Sequence, residues 1–264
     1  MAKKKDPSIT FLNRFGYNVV KLPRVGIEPL DLIGRDETTQ WLGPLASVWK
    51  SSVPAPPPSA PRPAAPVNGQ KTDQLQVTFG LKILANALAA FGATVPALDA
   101  AYTRARKVQF SYSNVTSTVV APLDAGNYLA AGTLNTANPV VSHYLTGEEA
   151  QAFLVVDVLK SDSLTVTASD EHGGEIGLDV PAIQGLVGAK VKVTPSSAAS
   201  STLTFKGPTP VTFGFIVNEI EFDGSRWSLI GAAPSGALAF GTGPGSDVAA
   251  EHPVLLGSGC RIRI

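Results

Sequence analysis

The stretch 152–169, AFLVVDVLKSDSLTVTAS, carries the strongest β-strand signal in the chain. Its first half is a run of aliphatic residues, and in its second half apolar and hydroxyl side chains alternate along Leu164–Ala168. Such alternation places apolar side chains on one face of a sheet and polar side chains on the other. The polar letters KSDS, residues 160–163, predict a turn between the halves, so we expect two strands here.

Further strands are predicted on the carboxyl side of this stretch. The segments that favour them are GGEIGLDVP at 173–181, AKVKVTP at 189–195, STLTFKG at 201–207, VTFGFIVNEIEFDG at 211–224 and RWSL at 226–229. Strands that follow one another with short connections favour antiparallel pairing. On the amino-terminal side, strands are predicted at Tyr17–Leu22, at VQFSY, residues 108–112, and at STVVAPL, residues 117–123.

Helices are predicted among the strands of this amino-terminal side. Leucine and alanine recur at helical spacing over Leu81–Leu88, and Phe91 extends the apolar stripe. A second helix is expected over 96–107, PALDAAYTRARK, because Thr94 suits a cap and Pro96 suits the first turn. A short helix is expected within 121–132, APLDAGNYLAAG. The predicted fold class is therefore α+β: a twisted, mostly antiparallel sheet with several packed helices.

The segment 53–66, VPAPPPSAPRPAAP, is dense in proline. Proline lacks an N–H and favours an extended polyproline conformation, so we expect this segment to stay outside the sheet as an exposed loop. An alternative is that it recruits a partner domain with an aromatic groove.

Composition excludes several classes of function. The 264 residues include 21 basic and 21 acidic side chains, so a zero net charge gives no strong attraction to nucleic acid. One cysteine, Cys260, excludes a disulfide framework within the chain. No apolar run follows the basic cluster Lys3, Lys4 and Lys5 as in a signal peptide, and none is long enough to span a membrane as a helix. We expect a protein that is made in soluble form and stays in the cytoplasm.

The sequence shows little sign of catalysis. His143, His172 and His252 have no metal-ligand spacing, and we find neither a nucleophile elbow nor a phosphate-binding loop. We therefore predict no catalytic residues, no metal and no cofactor. A hydrolase with a dispersed site that uses His143 or His172 stays open as an alternative.

The carboxyl end combines a loose tether with an apolar tail. Residues 231–247 are rich in Gly, Ala, Ser and Pro and predict a flexible, cleavable linker, while residues 248–264 contain Val254, Leu255, Leu256, Ile262 and Ile264. Cleavage is expected around Ala239, Phe240 and Gly241 or at Asp247. Asp247 would suit a caspase-like protease, whereas the absence of Lys and Arg from 231–250 argues against a trypsin-like one. Alternatively, the tail is the last edge strand, since CRIRI alternates in polarity.

Two segments carry a resemblance to a known family. FGYNVVKLPRVGIEPLDLIGR, residues 15–35, resembles the amino-terminal signature of bacterial gasdermins. Residues 154–207, from LVVDVLKSDSLTVTAS to TPSSAASSTLTFKG, resemble gasdermin pore-forming domains more broadly. This resemblance implies a pore-forming domain over 1–230 with a gasdermin amino-terminal fold, the linker over 231–247, and a short autoinhibitory peptide over 248–264.

The same resemblance implies a function. A protease would remove the carboxyl-terminal peptide, and the remaining domain would bind inner-membrane lipids and assemble into a homo-oligomeric ring whose pore kills the cell in anti-phage defence. Bacterial members often carry a lipidated cysteine near the amino terminus. This chain has Lys3, Lys4 and Lys5 there instead, so no lipidation is expected.

Two sets of basic residues are candidates for lipid contact. One is the lysine cluster at the amino terminus, which alternatively is a solvated terminus. The other is Arg104, Arg106 and Lys107, which alternatively are the basic end of the helix predicted over 96–107. The alternative to a pore-forming protein is a non-enzymatic scaffold that binds lipid or a partner through the proline-rich segment.

Overall fold

The computed structural model describes residues 12, 16–65, 67, 69–72, 74–93, 98–147, 150–222, 227–232 and 239–240. In chain order its elements are β1 (Asn18–Arg24), β2 (Asp31–Arg35), β3 (Thr39–Pro44), β4 (Trp49–Ser51), β5 (Arg62–Pro63), β6 (Leu75–Gln76), α1 (Val77–Ala90), β7 (Lys107–Ser113), β8 (Thr116–Val119), α2 (Pro122–Ala130), β9 (Gly132–Leu134), α3 (Pro139–Tyr144), β10 (Gln151–Ser169), α4 (Val180–Val187), β11 (Lys192–Pro195), β12 (Thr202–Phe222), β13 (Trp227–Ala232) and β14 (Ala239–Phe240). Short 3-10 helices span Leu45–Ser47 and Leu98–Tyr102.

Two long antiparallel strands, β10 and β12, form the spine of a 12-stranded sheet. The edge of β10 that faces away from β12 pairs in turn with β2, β8 and β7. The edge of β12 that faces away from β10 pairs with β13, β1 and β11. Within the described sheet only β1 and β14 pair in parallel. The predicted α+β class with a mostly antiparallel sheet is confirmed.

The turn predicted at 160–163 is wrong, because β10 runs through it without a break. The pairing with β12 shifts register between Leu159 and Lys160 and again between Ser161 and Ser163. The Ser161 hydroxyl donates to the carbonyl of Ser163 at 2.8 Å and accepts from the Ser163 N–H at 3.0 Å. The polar residues therefore form β-bulges, which bend a strand without ending it.

The strands predicted at 201–207 and 211–224 are likewise one strand, β12. Opposite Asp162 of β10, β12 carries the four residues Gly207–Pro210, since Lys206 pairs with Ser163 and Val211 pairs with Ser161. Two of those four residues are prolines, which cannot donate to the ladder. The paired irregularities divide the spine into two segments.

Burial differs between the two segments of β10. Every residue from Ala152 to Leu159 is buried, whereas buried and half-buried residues alternate from Leu164 to Ser169. The first segment is covered on both faces, and the second segment is covered on one face only. The alternation predicted for Leu164–Ala168 is confirmed.

The helix predictions are confirmed for 81–91, where α1 begins earlier, at Val77, and ends at Ala90, and for 121–132, which contains α2. The helix predicted over 96–107 is wrong in its second half. A 3-10 helix ends at Tyr102, and Lys107 already begins β7. Arg104, Arg106 and Lys107 therefore do not cap an α-helix.

The strand predicted at 173–181 is also wrong. Only Glu175 forms an isolated bridge, with Ser169, and α4 begins at Val180. The Asp179 carboxylate accepts a hydrogen bond from the N–H of Ala182 at 3.0 Å and caps α4. Asp179 as the cap, with Pro181 in the first turn, is a helix-start signal that outweighs the β-branched residues nearby.

The expectation that the proline-rich segment stays outside the sheet is wrong at β5. Arg62 and Pro63 pair with Ser117 and Thr116 of β8. The N–H groups of Ser59 and Ala64 donate to Val119 and Val115 at 2.8 and 2.9 Å. The segment thus covers the outer edge of β8 through its few residues that carry an N–H, a position that tolerates proline.

Candidate functional site

The second segment of the spine forms an amphipathic sheet with its neighbours, in the order β7, β10, β12 and β11. We call this unit the amphipathic sheet. One row of side chains that crosses its covered face consists of Tyr112, Leu164, Phe205 and Val193. The next row, on the opposite face, consists of Ser111, Thr165, Thr204 and Thr194. Each row is uniform in polarity across four strands, so the unit has one apolar and one polar face.

Hydroxyl groups bond across the strands on the polar face. The hydroxyls of Thr165 and Thr204 lie 2.9 Å apart, and those of Thr167 and Thr202 lie 3.1 Å apart. The Ser196 hydroxyl lies 2.8 Å from that of Thr204. These side chains satisfy one another while staying partly open to water, which is a suitable arrangement for a hydrated surface.

The apolar face is covered by α1, by the 3-10 helix Leu98–Tyr102 and by α4. The buried side chains of these covering elements are Leu81, Leu84, Leu88, Phe91, Leu98, Tyr102, Ile183 and Val187. Beneath them Leu164, Val166 and Phe205 have no exposed surface. Sequestering one such side chain stabilises the fold by about 1.5–3 kcal/mol, so the cover is held mainly by apolar contact.

Two glycines set how closely α1 approaches the sheet. A methyl group on Gly80 would lie 1.9 Å from Cγ2 of Val108 in β7. A methyl group on Gly207, in the irregular part of β12, would lie 2.5 Å from Cδ1 of Phe91 just beyond α1. Only glycine permits these contacts, because real Cβ atoms do not approach other atoms so closely.

A buried carboxylate lies in the other segment of the spine. Asp157 of β10 accepts hydrogen bonds from the Tyr17 hydroxyl at 2.6 Å and from the Ser117 hydroxyl at 2.7 Å. Burial raises the pKa of Asp157 above its ordinary value, although both hydrogen bonds act in the opposite direction. Burial, and then the hydrogen bond to Asp157, raise the pKa of Tyr17. The three side chains join the start of β1 to β8 and β10.

The basic residues predicted to contact lipid have different surroundings in the structure. Arg104 is exposed and lines a groove of about 440 Å³ together with Asp179 and apolar residues of α4. Arg106 donates to the carbonyl of Thr103 at 3.1 Å, and Lys107 donates to the carbonyl of Glu171 at 2.9 Å. The cluster Lys3, Lys4 and Lys5 lies outside the described residues.

The predicted cleavage region is partly described. Ala239 and Phe240 form β14, which pairs with Val19 and Val20 of β1. Residues of β14 also lie within 8 Å of β3, Cα to Cα, although β14 and β3 stand at opposite ends of the path β14-β1-β12-β10-β2-β3. Gly241, Asp247 and the tail residues Val254, Leu255, Leu256, Ile262 and Ile264 lie outside the described residues.

Neither described histidine belongs to a recognisable catalytic arrangement. Nε2 of His143 lies 3.3 Å from Oδ2 of Asp36, which also accepts from the Tyr144 hydroxyl at 2.6 Å. The Tyr144 hydrogen bond is the largest cause that lowers the pKa of Asp36. His172 lies in an exposed turn that Asp170 organises. The described residues contain no group of three His, Cys, Asp or Glu side chains that could hold a metal ion.

None of the described helices is both long and apolar enough to span a membrane. The alternation in β10 was predictable from the sequence, whereas α4 and the cover that α4 and α1 form over the sheet were not predicted. The signal for α4 was present as Asp179 followed by Pro181. The identity of the covered face depends on pairings between distant segments, which no local pattern reports.

Comparisons with known proteins point to one family. The model of the Bacterial Gasdermin Family matches residues 20–228. A protein of Vitiosangium sp. (strain GDMCC 1.1324), named Gasdermin bGSDM, is 40% identical over 257 residues, which are 96% of this chain and 95% of that protein. A protein of Lysobacter enzymogenes with the same name is 35% identical over 240 residues, 89% of this chain and 87% of that protein.

One solved structure has the same fold. It is described as a bacterial gasdermin from Bradyrhizobium tropiciagri, and it matches with a TM-score of 0.64 at 19% identity, over 89% of this chain and 94% of that chain. At this identity the match concerns the fold alone.

Proposed function

Because this chain belongs to the bacterial gasdermin family, we propose that it is an autoinhibited pore-forming effector. Removal of residues 248–264 by a protease would release the inhibition. The cut protein would then assemble in the inner membrane and kill the cell during phage infection. Membership of the family supports the pore-forming role in general. Assembly in the inner membrane and a role in anti-phage defence are supported only by the resemblance of the sequence to gasdermins.

The observation that carries the proposal is the row-by-row polarity of the amphipathic sheet. A strand that crosses a membrane needs about 9–11 residues with one face toward lipid and the other toward water. The alternating parts of β10 and β12, residues 163–169 and 202–206, belong to strands of 19 and 21 residues, so the alternation would cover part of such a span. Apolar rows such as Leu164 and Phe205 would exchange the cover of α1 and α4 for lipid, while the threonine rows would face water.

Insertion requires that α1 and α4 leave the apolar face. The cost is the loss of apolar contacts, and burial of the same face in lipid offsets it. Backbone groups within lipid must also be paired, which requires strands from several copies joined in a closed ring. These conditions support a homo-oligomer as the active form.

The position of β14 supports regulation through the carboxyl end. Because Ala239 and Phe240 pair with β1, the chain is held at the sheet as far as Phe240, so an inhibitory tail later in the chain would act at a high effective concentration. A protease binds its substrate as an extended segment with free backbone groups. Because Ala239 and Phe240 are paired with β1, we favour cleavage near Asp247 over cleavage at Phe240.

Dye release from vesicles tests the proposal. A recognition sequence for a specific protease is placed at Asp247, and vesicles of phosphatidylethanolamine, phosphatidylglycerol and cardiolipin are loaded with a fluorescent dye. We expect release only after cleavage. A chain with a scrambled recognition sequence serves as the matched control and should cause no release with or without protease. Absence of release after complete cleavage of a folded protein would refute the proposal.

A further inference from the structure

One side chain closes the edge of β11 that faces away from β12. The side-chain oxygen of Gln184, in α4, accepts a hydrogen bond from the N–H of Val193 at 2.9 Å. Its side-chain nitrogen donates to the carbonyls of Val191 and Gly188, each at 2.9 Å. One orientation of the amide satisfies all three bonds, since the oxygen accepts and the nitrogen donates twice.

Gln184 therefore takes the place of a neighbouring strand. In a β-strand, alternate residues direct both their N–H and their C=O to the same side. The carbonyl of Val191 and the N–H of Val193 point toward Gln184, while β11 lies opposite Leu203–Lys206 of β12; at the next outward position Pro195 has no N–H. An open edge of this kind is a template for pairing with another chain. The side-chain amide of Gln184 occupies this edge, because its oxygen accepts from the N–H of Val193 and its nitrogen donates to the carbonyl of Val191.

The opposite edge of the amphipathic sheet is closed by backbone. The N–H groups of Gly69 and Thr72 donate to Tyr112 and Phe110 of β7, each at 2.8 Å, and β6 extends this cover. Removal of the backbone cover requires that a whole segment detaches. In contrast, the side-chain cover on β11 consists of hydrogen bonds from one residue, Gln184.

We propose that the outer edge of β11 is an interaction surface for the same edge of a second copy, and that Gln184 blocks it in the free chain. An identical strand fits for two reasons. It repeats the alternation of Val193 with Lys192 and Thr194, so apolar side chains continue on the covered face and polar ones on the other. The opposite edge of a second copy is closed by backbone, which leaves pairing of β11 with β11 about a two-fold axis.

The test is the association of the intact, uncut chain without lipid. Gln184→Met keeps the length of the side chain but removes all three hydrogen bonds. Asp179→Ala is the matched control, because it removes the cap of the same helix and leaves the bonds of Gln184 in place. Sedimentation velocity is measured over a concentration series under reducing conditions, which prevent cross-linking through Cys260. Circular dichroism verifies the fold of each variant.

We expect Gln184→Met to form a dimer with a dissociation constant at least about tenfold below that of the wild type, a difference of about 1.4 kcal/mol. Wild type and Asp179→Ala should remain monomers at the concentrations that give this dimer. If Gln184→Met does not fold, Gln184→Glu takes its place, because it keeps the acceptor for Val193 but loses both donors, and a smaller shift toward dimer is expected.

Three results would overturn the inference. A folded Gln184 variant that stays monomeric would show that the edge does not bind a second copy. Equal association of the Asp179→Ala control would show that loosening α4, not opening the edge, causes it. Species larger than a dimer would exclude a two-fold pairing, which closes at two copies. Since neither protease nor lipid is used, failure of the pore-forming proposal would leave this result unchanged.

Discussion

Gly80→Ala is expected to loosen the cover over the amphipathic sheet. The methyl group would point from α1 into β7, where it would lie 1.9 Å from Cγ2 of Val108. Val108 is buried and β-branched, so its side chain has little freedom to rotate away. The helix must therefore shift outward, and its contacts with the sheet must weaken. Gly185→Ala in α4 is the matched control, because nothing lies within 4 Å of its added methyl group.

The magnitude follows from two opposing effects. Exchange of glycine for alanine inside a helix stabilises it by about 0.5–1 kcal/mol. Excess volume in a packed core costs about 1–3 kcal/mol. We expect Gly80→Ala to lower the free energy of unfolding by about 0.5–2 kcal/mol, since the overlap outweighs the helix preference. The control substitution should raise it by about 0.5–1 kcal/mol.

Urea unfolding monitored by circular dichroism measures both variants, and dye release after cleavage measures the consequence. A weaker cover should separate from the sheet sooner, so cleaved Gly80→Ala should release dye faster than the wild type, whereas cleaved Gly185→Ala should not. If Gly80→Ala proved as stabilising as Gly185→Ala, the close packing of α1 on β7 would be refuted. If it were destabilised but released dye at the wild-type rate, separation of α1 would not limit pore formation.

Two further predictions concern the start of the sheet and the proline-rich segment. The raised pKa of Asp157 favours its protonated form in the folded state, so its contribution to stability is present at low pH and is lost as pH rises through the folded pKa. Asp157→Asn should therefore be more stable than the wild type near pH 7, and thermal unfolding over pH 4–7 should show this difference shrinking toward low pH. A difference that stays constant with pH would contradict the assignment. Ser59→Pro removes the N–H that donates to the carbonyl of Val119 and the hydroxyl that accepts from the N–H of Val119, so limited proteolysis should cut the segment 53–66 faster than in the wild type. Ala55→Pro, a proline substitution at an exposed position of the same segment, is the control and should be cut at the wild-type rate. Equal rates for the two variants would contradict the docking of this segment on β8.

Much of the fold was predictable because its signals are local. The spacing of leucines over Leu81–Leu88 predicted α1, and the alternation over Leu164–Ala168 predicted which side chains of β10 share a face. These patterns follow from the periods of 3.6 and 2 residues that the backbone imposes. The family was also recognisable, since its sequence signature spans 15–35 and 154–207. Of the candidate site, only the strands and the alternation of apolar and polar side chains over Leu164–Ala168 were predicted.

The wrong predictions concern residues whose structure depends on partners far away in sequence. KSDS at 160–163 can form a turn or a bulge, and the decision rests on whether β12 continues alongside, which it does with the insertion Gly207–Pro210. Pro63 joins a sheet because β8 lies beside it and the neighbouring Ala64 supplies an N–H.

Local sequence patterns are enough to predict the elements with a regular period, the polarity of each face and the family. The tertiary structure alone decided which face is covered by α1 and α4, where the long strands bend, and that Gln184 occupies the edge of β11. The physical reason is that polarity repeats along a single strand, whereas cover, register and edge closure are properties of two segments that meet only after folding.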